Sequence, residues 1–163
     1  MKLTKIVLIS ALFGLSMQAY GLEIKAISAS DYDKKSDHAP SHLIDHNPAT
    51  RWAASGKNNW VLVEFTQQEK ISNLVINAFK SKERLLSFSI AYSLDGQTWT
   101  DIPERFQTSP LDNKQAEKFV FSTPINAKFV RINTFGTDKN NWSAINELDF
   151  NVADSLPTQQ IKR

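Results

Sequence analysis

Cationic side chains are concentrated in one short stretch of the sequence, and they are well suited to binding chemistry. Lys80, Lys82 and Arg84 alternate there, with Glu83 as the nearby acid. A guanidinium can hold a carboxylate with two parallel hydrogen bonds, so this cluster suits an acidic ligand. The stretch would equally suit an ordinary solvated turn, and the sequence leaves both interpretations open.

Aromatic and amide side chains supply a second kind of binding chemistry. Trp142 follows a run of four polar residues, where an indole is unusual unless it covers something, and it could stack on a ring. Asn58, Asn59, Asn140 and Asn141 offer donors and acceptors that suit hydroxyl groups, although asparagine is frequent in loops of any purpose. These residues are therefore candidates for contacts with a polar ligand.

Three histidines follow one another at intervals of four residues. On a helix His38, His42 and His46 would align three imidazoles for a transition metal. Pro40 and the Asn47-Pro48 pair argue against a helix here. We interpret the three as loop histidines.

Catalytic patterns are not evident in the sequence. Asp31 and Asp33 flank Tyr32 as an isolated pair of acids. There is no Gly-Xaa-Ser-Xaa-Gly elbow, phosphate loop or zinc-binding helix motif. We predict that the protein is not an enzyme.

Residues 1–21 have the layout of a secretory signal peptide. Lys2 and Lys5 precede the apolar run 6–15, and Ala19-Tyr20-Gly21 places small residues at the cleavage positions. That run is shorter than the roughly 20 residues of a membrane-spanning helix. The sequence contains no cysteine. We predict a secreted or periplasmic protein with no membrane span, lipid anchor or disulfide.

The net charge of the chain argues against one class of partner. The sequence has 19 basic and 17 acidic residues, and removal of the signal peptide takes away two lysines and no acid. The mature chain is therefore close to neutral, whereas proteins that bind nucleic acid through phosphate neutralisation carry a basic excess. We predict that nucleic acid is not a partner.

Short alternating segments must position these candidate residues. Val61, Val63 and Phe65 share one face of the segment 60–65, which is typical of a half-buried strand. Similar segments recur at 71–79, 86–92, 118–121, 128–135 and 145–152, and Asp95-Gly96 predicts a tight hairpin turn with positive φ angles within 89–99. This pattern predicts an all-β protein with an antiparallel sandwich or barrel.

The domain organisation is simple. Residues 22–152 have the length of one domain, and 153–163 are expected to form a tail or the start of a linker. The stretch 34–60 has no clear periodicity, so we interpret it as a long ordered loop. A loop of that length inside a compact domain needs something to hold it.

Three stretches resemble a known family. They are Leu43-Ile-Asp-His-Asn-Pro-Ala-Thr-Arg-Trp52, Trp60-Val-Leu-Val-Glu-Phe65 and Phe88-Ser-Ile-Ala-Tyr-Ser-Leu-Asp-Gly-Gln-Thr-Trp99, supported by 129–132 and 145–150. They are similar to discoidin, or coagulation-factor type C, domains, whose bacterial members include carbohydrate-binding module family 32. The resemblance implies an antiparallel β-sandwich in the form of an eight-stranded jelly roll, with Trp52 and Trp99 in its core.

The resemblance also implies a structural calcium ion that would hold the long loop. Its ligands, carried over by position, would be oxygen atoms of His42, Asp45, Asn47, Thr50, Asn146 and Glu147. Calcium accepts six to eight hard oxygen ligands in irregular geometry, so such a set is chemically suitable. The alternative is that Asp45 caps an Asx turn and Glu147 is a solvated strand residue.

In that family, loops at the calcium end of the sandwich bind sugars. The loops 53–59, 80–84 and 136–142 correspond, and the expected ligand-binding residues are Asn58, Asn59, Lys80, Lys82, Arg84, Asn141 and Trp142. The stretches 82–90 and 141–147 further resemble modules attached to alginate lyases. This implies a non-catalytic module for acidic polysaccharide such as alginate or its oligosaccharides, with a catalytic domain in cis or a partner enzyme as its target. The alternative is a cell-surface adhesion or protein-interaction discoidin domain.

Overall fold

Eight β-strands and two short 3₁₀ helices make up the fold. The computed structural model describes residues 22–112 and 115–152 and the strand at 158–160. The strands are β1 (Ile24–Ala29), β2 (Trp52–Ser55), β3 (Asn59–Ala78), β4 (Leu86–Ser93), β5 (Thr100–Gln107), β6 (Glu117–Thr137), β7 (Trp142–Phe150) and β8 (Thr158–Gln160). The 3₁₀ helices are Lys34–Ser36 and Pro40–Ile44.

The strands form the two layers of a β-sandwich. One layer has the order β1-β3-β6-β4-β5 and uses the first half of β3 and the second half of β6. The other has the order β2-β7-β3-β6-β8 and uses the remaining halves of β3 and β6. All pairings are antiparallel except that of β6 with β8. The predicted all-β jelly roll is confirmed.

The two long strands connect the layers. β3 and β6 lose regular pairing between Glu64 and Glu69 and again between Ile71 and Asn73. Irregular pairing of this kind lets a strand bend and pass from one sheet of a sandwich to the other. The bend brings both ends of β3 to the end of the sandwich that carries the candidate loops.

The core lies between the layers and is rich in phenylalanine. Val61, Val63 and Phe65 are fully buried, so the predicted alternation in β3 is confirmed. Phe88 stacks on Phe106, with ring centroids 5.1 Å apart. Offset and edge-on aromatic pairs of this kind add specific packing energy to their area burial.

Two local expectations from the sequence are wrong. The stretch 34–60, interpreted as a loop, contains both 3₁₀ helices and β2. The β4–β5 turn is also wider than a two-residue turn, because Tyr92 pairs with Thr100. Gly96 has φ +75°, but Asp95 does not adopt positive φ. Instead, the Asp95 carboxylate accepts hydrogen bonds from the backbone N–H groups of Gln97 and Thr98.

The predicted domain ends are only partly visible. The predicted signal peptide, 1–21, lies outside the described residues. Within the segment expected to be a tail, β8 adds to the edge of one layer beside Lys118–Val120. None of the helices in the described part of the chain is long and apolar enough to cross a membrane.

Candidate functional site

A cleft of about 420 Å³ opens beside the paired strands β2 and β7. Two arginines, two aromatic rings and several polar groups surround a floor of small residues. The lining consists of Asp33, Ser36, His38, Arg51, Ala53, Phe79, Arg84, Asn140, Trp142 and Ala144. Clefts of this size with a few convergent polar groups are typical of small-ligand sites.

Backbone hydrogen bonds attach the first wall of the cleft to β2. The Asp33 N–H donates to the carbonyl of Ala53, and the Ala53 N–H donates to the carbonyl of His38. The side chain of Asp33 caps the following 3₁₀ turn by accepting from the N–H of Lys35 at 3.1 Å. The segment 33–38 is therefore fixed against the sheet.

The opposite wall is built from two loops that are bonded to each other. The Leu85 N–H donates to the Asp138 carboxylate at 2.7 Å, and the Asp138 N–H donates to the Leu85 carbonyl. The hydrogen bond from Leu85 lowers the pKa of Asp138 and keeps it charged. Gly136 starts the second loop with φ +82°, and a Cβ there would lie 2.7 Å from the carbonyl oxygen of Asn140. The position therefore requires glycine.

Two guanidinium groups meet at the ring of Phe79. The guanidinium carbon of Arg51 lies 4.1 Å from the ring centroid, and that of Arg84 lies 5.8 Å from it. Burial lowers the pKa of Arg51, the charge of Asp33 raises it, and the charge of Arg84 lowers it. Arg84 Nε is buried and has no hydrogen-bond partner among the described residues. Two cations beside one ring, with a donor that has no partner among the described residues, are chemically suited to an anion.

Trp142 supplies an exposed aromatic surface beside these cations. Trp142 is 39% exposed, and it begins a strand in which five of the nine residues are buried. The backbone N–H of Trp142 donates to the side-chain oxygen of Asn140 at 3.0 Å, which fixes the start of β7. Ala53 and Ala144 are paired across β2 and β7, and their small side chains leave space beside the indole.

His38 and Asp33 form the polar edge of the cleft. His38 Nδ1 lies 3.5 Å from an Asp33 carboxylate oxygen. Burial lowers the pKa of His38, and the charge of Arg51 lowers it further. His38 is therefore favoured in its neutral form, in which one ring nitrogen donates and the other accepts. Neutral imidazole and carboxylate groups suit hydroxyl groups of a ligand.

Three of the predicted ligand residues lie at or next to this cleft. Arg84 and Trp142 line it, and so does Asn140, which lies in the same loop as Trp142. Lys80 lines a neighbouring cleft that shares Phe79 with the first. The structure therefore brings together the loops 80–84 and 136–142, and the stretch 53–59 contributes Ala53 to the lining.

The other predicted ligand residues do not line either cleft. Lys82 forms an exposed ion pair with Asp112 at 2.7 Å. The Asn59 amide is buried and donates to the carbonyls of Ser55 and Gly56, so it shapes the 53–59 loop. Asn58 and Asn141 are exposed in their loops. Direct contact of these four with a ligand stays a prediction from the sequence.

Sequence reasoning missed the residues that the fold brings to the cleft from a distance. Arg51 was noticed as part of a motif, and His38 was assigned to a loop. Phe79 was interpreted as the end of a strand. The available signal was the position of Arg51 directly before a buried tryptophan, which makes its side chain point away from the core.

The residues predicted to bind calcium lie close to one another at the 45–50 loop and β7. Asp45 accepts hydrogen bonds from the backbone N–H of Asn47 and from the Thr50 hydroxyl at 2.9 and 2.8 Å, and its other contact is His42 Nδ1 at 3.0 Å. The Asn146 side chain donates to the carbonyls of Pro48 and Thr50, joining β7 to the 45–50 loop. The expected Asx turn at Asp45 is therefore present.

Two carboxyl groups meet in this cluster. Burial raises the pKa of Glu147, and the hydrogen bond and charge of Asp45 raise it further. Burial also acts to raise the pKa of Asp45, but hydrogen bonds from His42, Thr50 and Asn47 outweigh it and lower this pKa to about 2. Glu147 Oε1 is buried without a hydrogen-bond partner in the described ranges. A cation between the two groups would satisfy that oxygen and both charges.

The donor set fits calcium better than a transition metal. Within 22–112 and 115–152, no three His, Asp or Glu side chains gather in a group that could hold a metal ion. His38, His42 and His46 therefore do not form the three-imidazole site considered above. The predicted calcium set combines two carboxylates with carbonyl and hydroxyl oxygens, which calcium accepts and zinc does not favour.

Fold and cleft together define a β-sandwich protein with a ligand-type site on its end loops. Residues 23–148 match the F5/8 type C domain family, and this chain belongs to that family. The resemblance to discoidin domains found in the sequence is thereby confirmed.

Solved structures with a similar fold include carbohydrate-binding modules. A pectin-binding carbohydrate-binding module is 46% identical, with a TM-score of 0.80 over 86% of this chain and 99% of the module. The family 32 module of AlyQ, solved in complex with 4,5-unsaturated mannuronic acid, is 26% identical, with a TM-score of 0.74 over 82% and 98% of the two chains. A truncated AlyQ contains this module together with alginate lyase domains.

Lactadherin of Bos taurus is similar at the sequence level. It is 25% identical over 103 residues, which is 56% of this chain and 24% of lactadherin. The match therefore spans about a quarter of the length of that protein.

Proposed function

We propose that this chain is a non-catalytic carbohydrate-binding module that holds uronate-containing polysaccharide, such as alginate or pectin, in the cleft. The observation that carries the proposal is the pairing of Arg51 and Arg84 beside the exposed ring of Trp142. A uronate has both of the features that this arrangement complements, namely a carboxylate and a sugar ring.

The chemistry of such a complex follows from the lining residues. The carboxylate would accept hydrogen bonds from the edges of the two guanidinium groups, which approach each other before any ligand arrives. The apolar face of the sugar would lie against Trp142, and its hydroxyl groups would meet His38 and Asp33. Asp33 accepts hydrogen bonds and repels carboxylates, so it gives the bound sugar one orientation.

Two relatives support a uronate as the ligand. One binds pectin, and the other was solved with an unsaturated mannuronic acid. Both ligands carry the carboxylate that the arginine pair would bind. In AlyQ the similar module accompanies alginate lyase domains, so targeting of an attached or partner enzyme, outside the cytoplasm as residues 1–21 predict, belongs to the same proposal.

The expected binding energy favours a polymer over a single sugar as the ligand. One uronate has about a dozen non-hydrogen atoms, and at roughly 0.3 kcal/mol per atom its binding energy is about 4 kcal/mol. That energy corresponds to a Kd of about 1 mM. Retention on a polysaccharide therefore benefits from several bound sugars or from tethering to another domain.

A structural calcium ion is the second part of the proposal. His42, Asp45, Asn47, Thr50, Asn146 and Glu147 would hold it. The buried, unpartnered Glu147 oxygen beside Asp45 supports this. The ion would neutralise the two carboxylates and fix the loop that ends at Arg51.

Affinity gel electrophoresis with alginate, polygalacturonate and a neutral glucan tests the function. We expect retardation by the two acidic polymers that is lost in Trp142→Ala. Arg84→Ala should weaken binding about tenfold or more, since a hydrogen bond between charged groups contributes roughly 1.5–3 kcal/mol.

Arg105→Ala is the matched control. Arg105 stacks on Phe135 at 4.3 Å, as Arg51 stacks on Phe79, but it lies on the outer face of the β5 layer and lines neither cleft. Equal retardation of the wild type by the neutral polymer, or equal losses in Arg84→Ala and Arg105→Ala, would contradict the proposal. A lack of binding to all three polymers would favour an adhesion or protein-interaction role, and turnover of alginate or its unsaturated oligosaccharides by this chain would contradict the non-catalytic assignment.

A further inference from the structure

A second, smaller cleft adjoins the first. It has a volume of about 230 Å³ and is lined by Pro48, Ala49, Asn77, Ala78, Phe79, Lys80 and Asn146. Phe79 is common to both clefts, so its ring forms the divider between them. A ligand that fills the first cleft and extends past Phe79 in this direction enters the second.

Three cationic side chains lie around the Phe79 ring that separates the two clefts. Lys80 Nζ lies 5.8 Å from the Phe79 ring centroid, the same distance as the guanidinium of Arg84, and Arg51 lies closer at 4.1 Å. The first cleft thus offers two guanidinium groups and the second offers one ammonium. A polyuronate carries one carboxylate on each sugar, so consecutive sugars would present consecutive carboxylates to these two cationic positions.

The backbone at Lys80 indicates that the side chain is there for a reason other than the turn. Lys80 has φ +53°, in the left-handed region where asparagine and glycine are favoured. Its carbonyl closes the turn by accepting from the N–H groups of Glu83 and Arg84. Lysine is therefore a poor residue for this conformation, although the turn itself is well formed.

The existing partner of Lys80 is weak and replaceable. Its Nζ lies 3.5 Å from a Glu83 carboxylate oxygen, and both side chains are about half exposed. Exposed ion pairs of this kind contribute little and are screened by salt. A ligand carboxylate that is held in place by the first cleft could take over this contact.

We propose that the site binds a chain of at least two uronate residues, with one carboxylate on Arg51 and Arg84 and the next on Lys80 across the Phe79 ring. This inference rests on the proposed function and adds its minimum ligand length. The module is then selective for polymers with closely spaced carboxylates over isolated uronates.

Titrations of the full chain with oligogalacturonates and oligomannuronates of one to four residues test the length. We expect affinity to rise about tenfold or more from one residue to two, as one added charge-assisted hydrogen bond predicts. Lys80→Asn should remove most of this increase, so that its affinities for one and for two residues become similar. Lys80→Arg should keep it, because the cation remains.

The asparagine variant also separates binding from folding. Asparagine tolerates positive φ, so Lys80→Asn should melt at or above the temperature of the wild type. Lys70→Asn removes the same charge from an exposed position ten residues earlier in the chain, at most roughly 33 Å away at 3.3 Å per residue, and should leave the length dependence intact.

Two results would overturn the inference while the proposed function stands. One is binding of single uronates and tetramers with equal affinity, and the other is a loss in Lys80→Asn that is the same for all lengths. Failure of every uronate to bind would instead remove the proposed function and this inference with it.

Discussion

Removal of calcium should destabilise the protein, and the charge of Glu147 should decide by how much. An ion that binds only the folded state stabilises it by about 2.7 kcal/mol when its free concentration is 100 times its Kd. For a domain of this size each kcal/mol corresponds to roughly 3–5 °C, so excess chelator should lower the Tm by about 10 °C. Differential scanning calorimetry in calcium and in EDTA measures the difference.

Glu147→Gln should change the stability of the protein in opposite directions with and without calcium. The variant keeps the shape of the side chain and removes one ligand charge, so chelator should then lower its Tm much less. Without the ion, Glu147 is a partly buried carboxyl beside Asp45, and both burial and Asp45 raise its pKa. Removing its charge should therefore leave the metal-free protein as stable as the wild type or more stable.

Asp149→Asn is the matched control for this experiment. Asp149 lies two residues further along β7 and is exposed, so its variant should respond to EDTA as the wild type does. The reasoning fails if EDTA leaves the wild-type Tm unchanged. It also fails if Glu147→Gln is the less stable protein in EDTA, since the paired carboxyl groups would then be a favourable contact that needs no cation.

Two further predictions concern turns. Hydrogen bonds from the backbone N–H groups of Thr98 and Gln97 lower the pKa of Asp95 to about 2, so its stabilising contribution is present at neutral pH and is lost as the pH falls from about 4 towards 2. Asp95→Asn should accordingly lower the Tm at pH 7 and have less effect near pH 2, and an equal effect at both would contradict this. Gly136→Ala should destabilise the protein by more than the roughly 1–2 kcal/mol of a left-handed alanine, because its Cβ also meets a backbone oxygen. Urea unfolding should show a smaller loss for Gly56→Ala, which has φ +99° but nothing closer than 3.9 Å, and equal losses would exclude the clash.

The local sequence pattern was sufficient to predict the strands that bury about every second residue. The first half of β3, most of β4 and the second half of β6 alternate between buried and more exposed residues, so the sequence predicted them and their inward faces. β1, β2 and β5 were missed for physical reasons, and β1 has no fully buried residue. β2 has only four residues, three of which are buried, and β5 shows little burial of its own. Such edge strands are defined by the neighbours that they pair with and not by their own composition.

The cleft could be predicted only in part, because long-range pairing creates it. Arg84 and Trp142 belong to polar loops, and residue type alone made them candidates. Arg51 and His38 reach the cleft because β2 pairs with β7 and because the segment before β2 hydrogen-bonds back onto it. The spacing of these residues along the chain does not indicate that they lie close to the cleft.

The position of Arg51 connects the two proposed sites. It lies between Thr50, whose hydroxyl donates to Asp45, and Trp52, which is fully buried and donates its indole N–H to the Asp31 carbonyl. Its backbone is thus fixed on both sides, while its guanidinium lies near the attractive charge of Asp33 and the repulsive charge of Arg84. A carboxylate that binds between the two guanidinium groups would relieve the repulsion between them.

An ion that stiffens the 45–50 loop would then favour the same orientation of Arg51. Since coupling between two binding sites is reciprocal, calcium would strengthen uronate binding by the same factor by which uronate strengthens calcium binding.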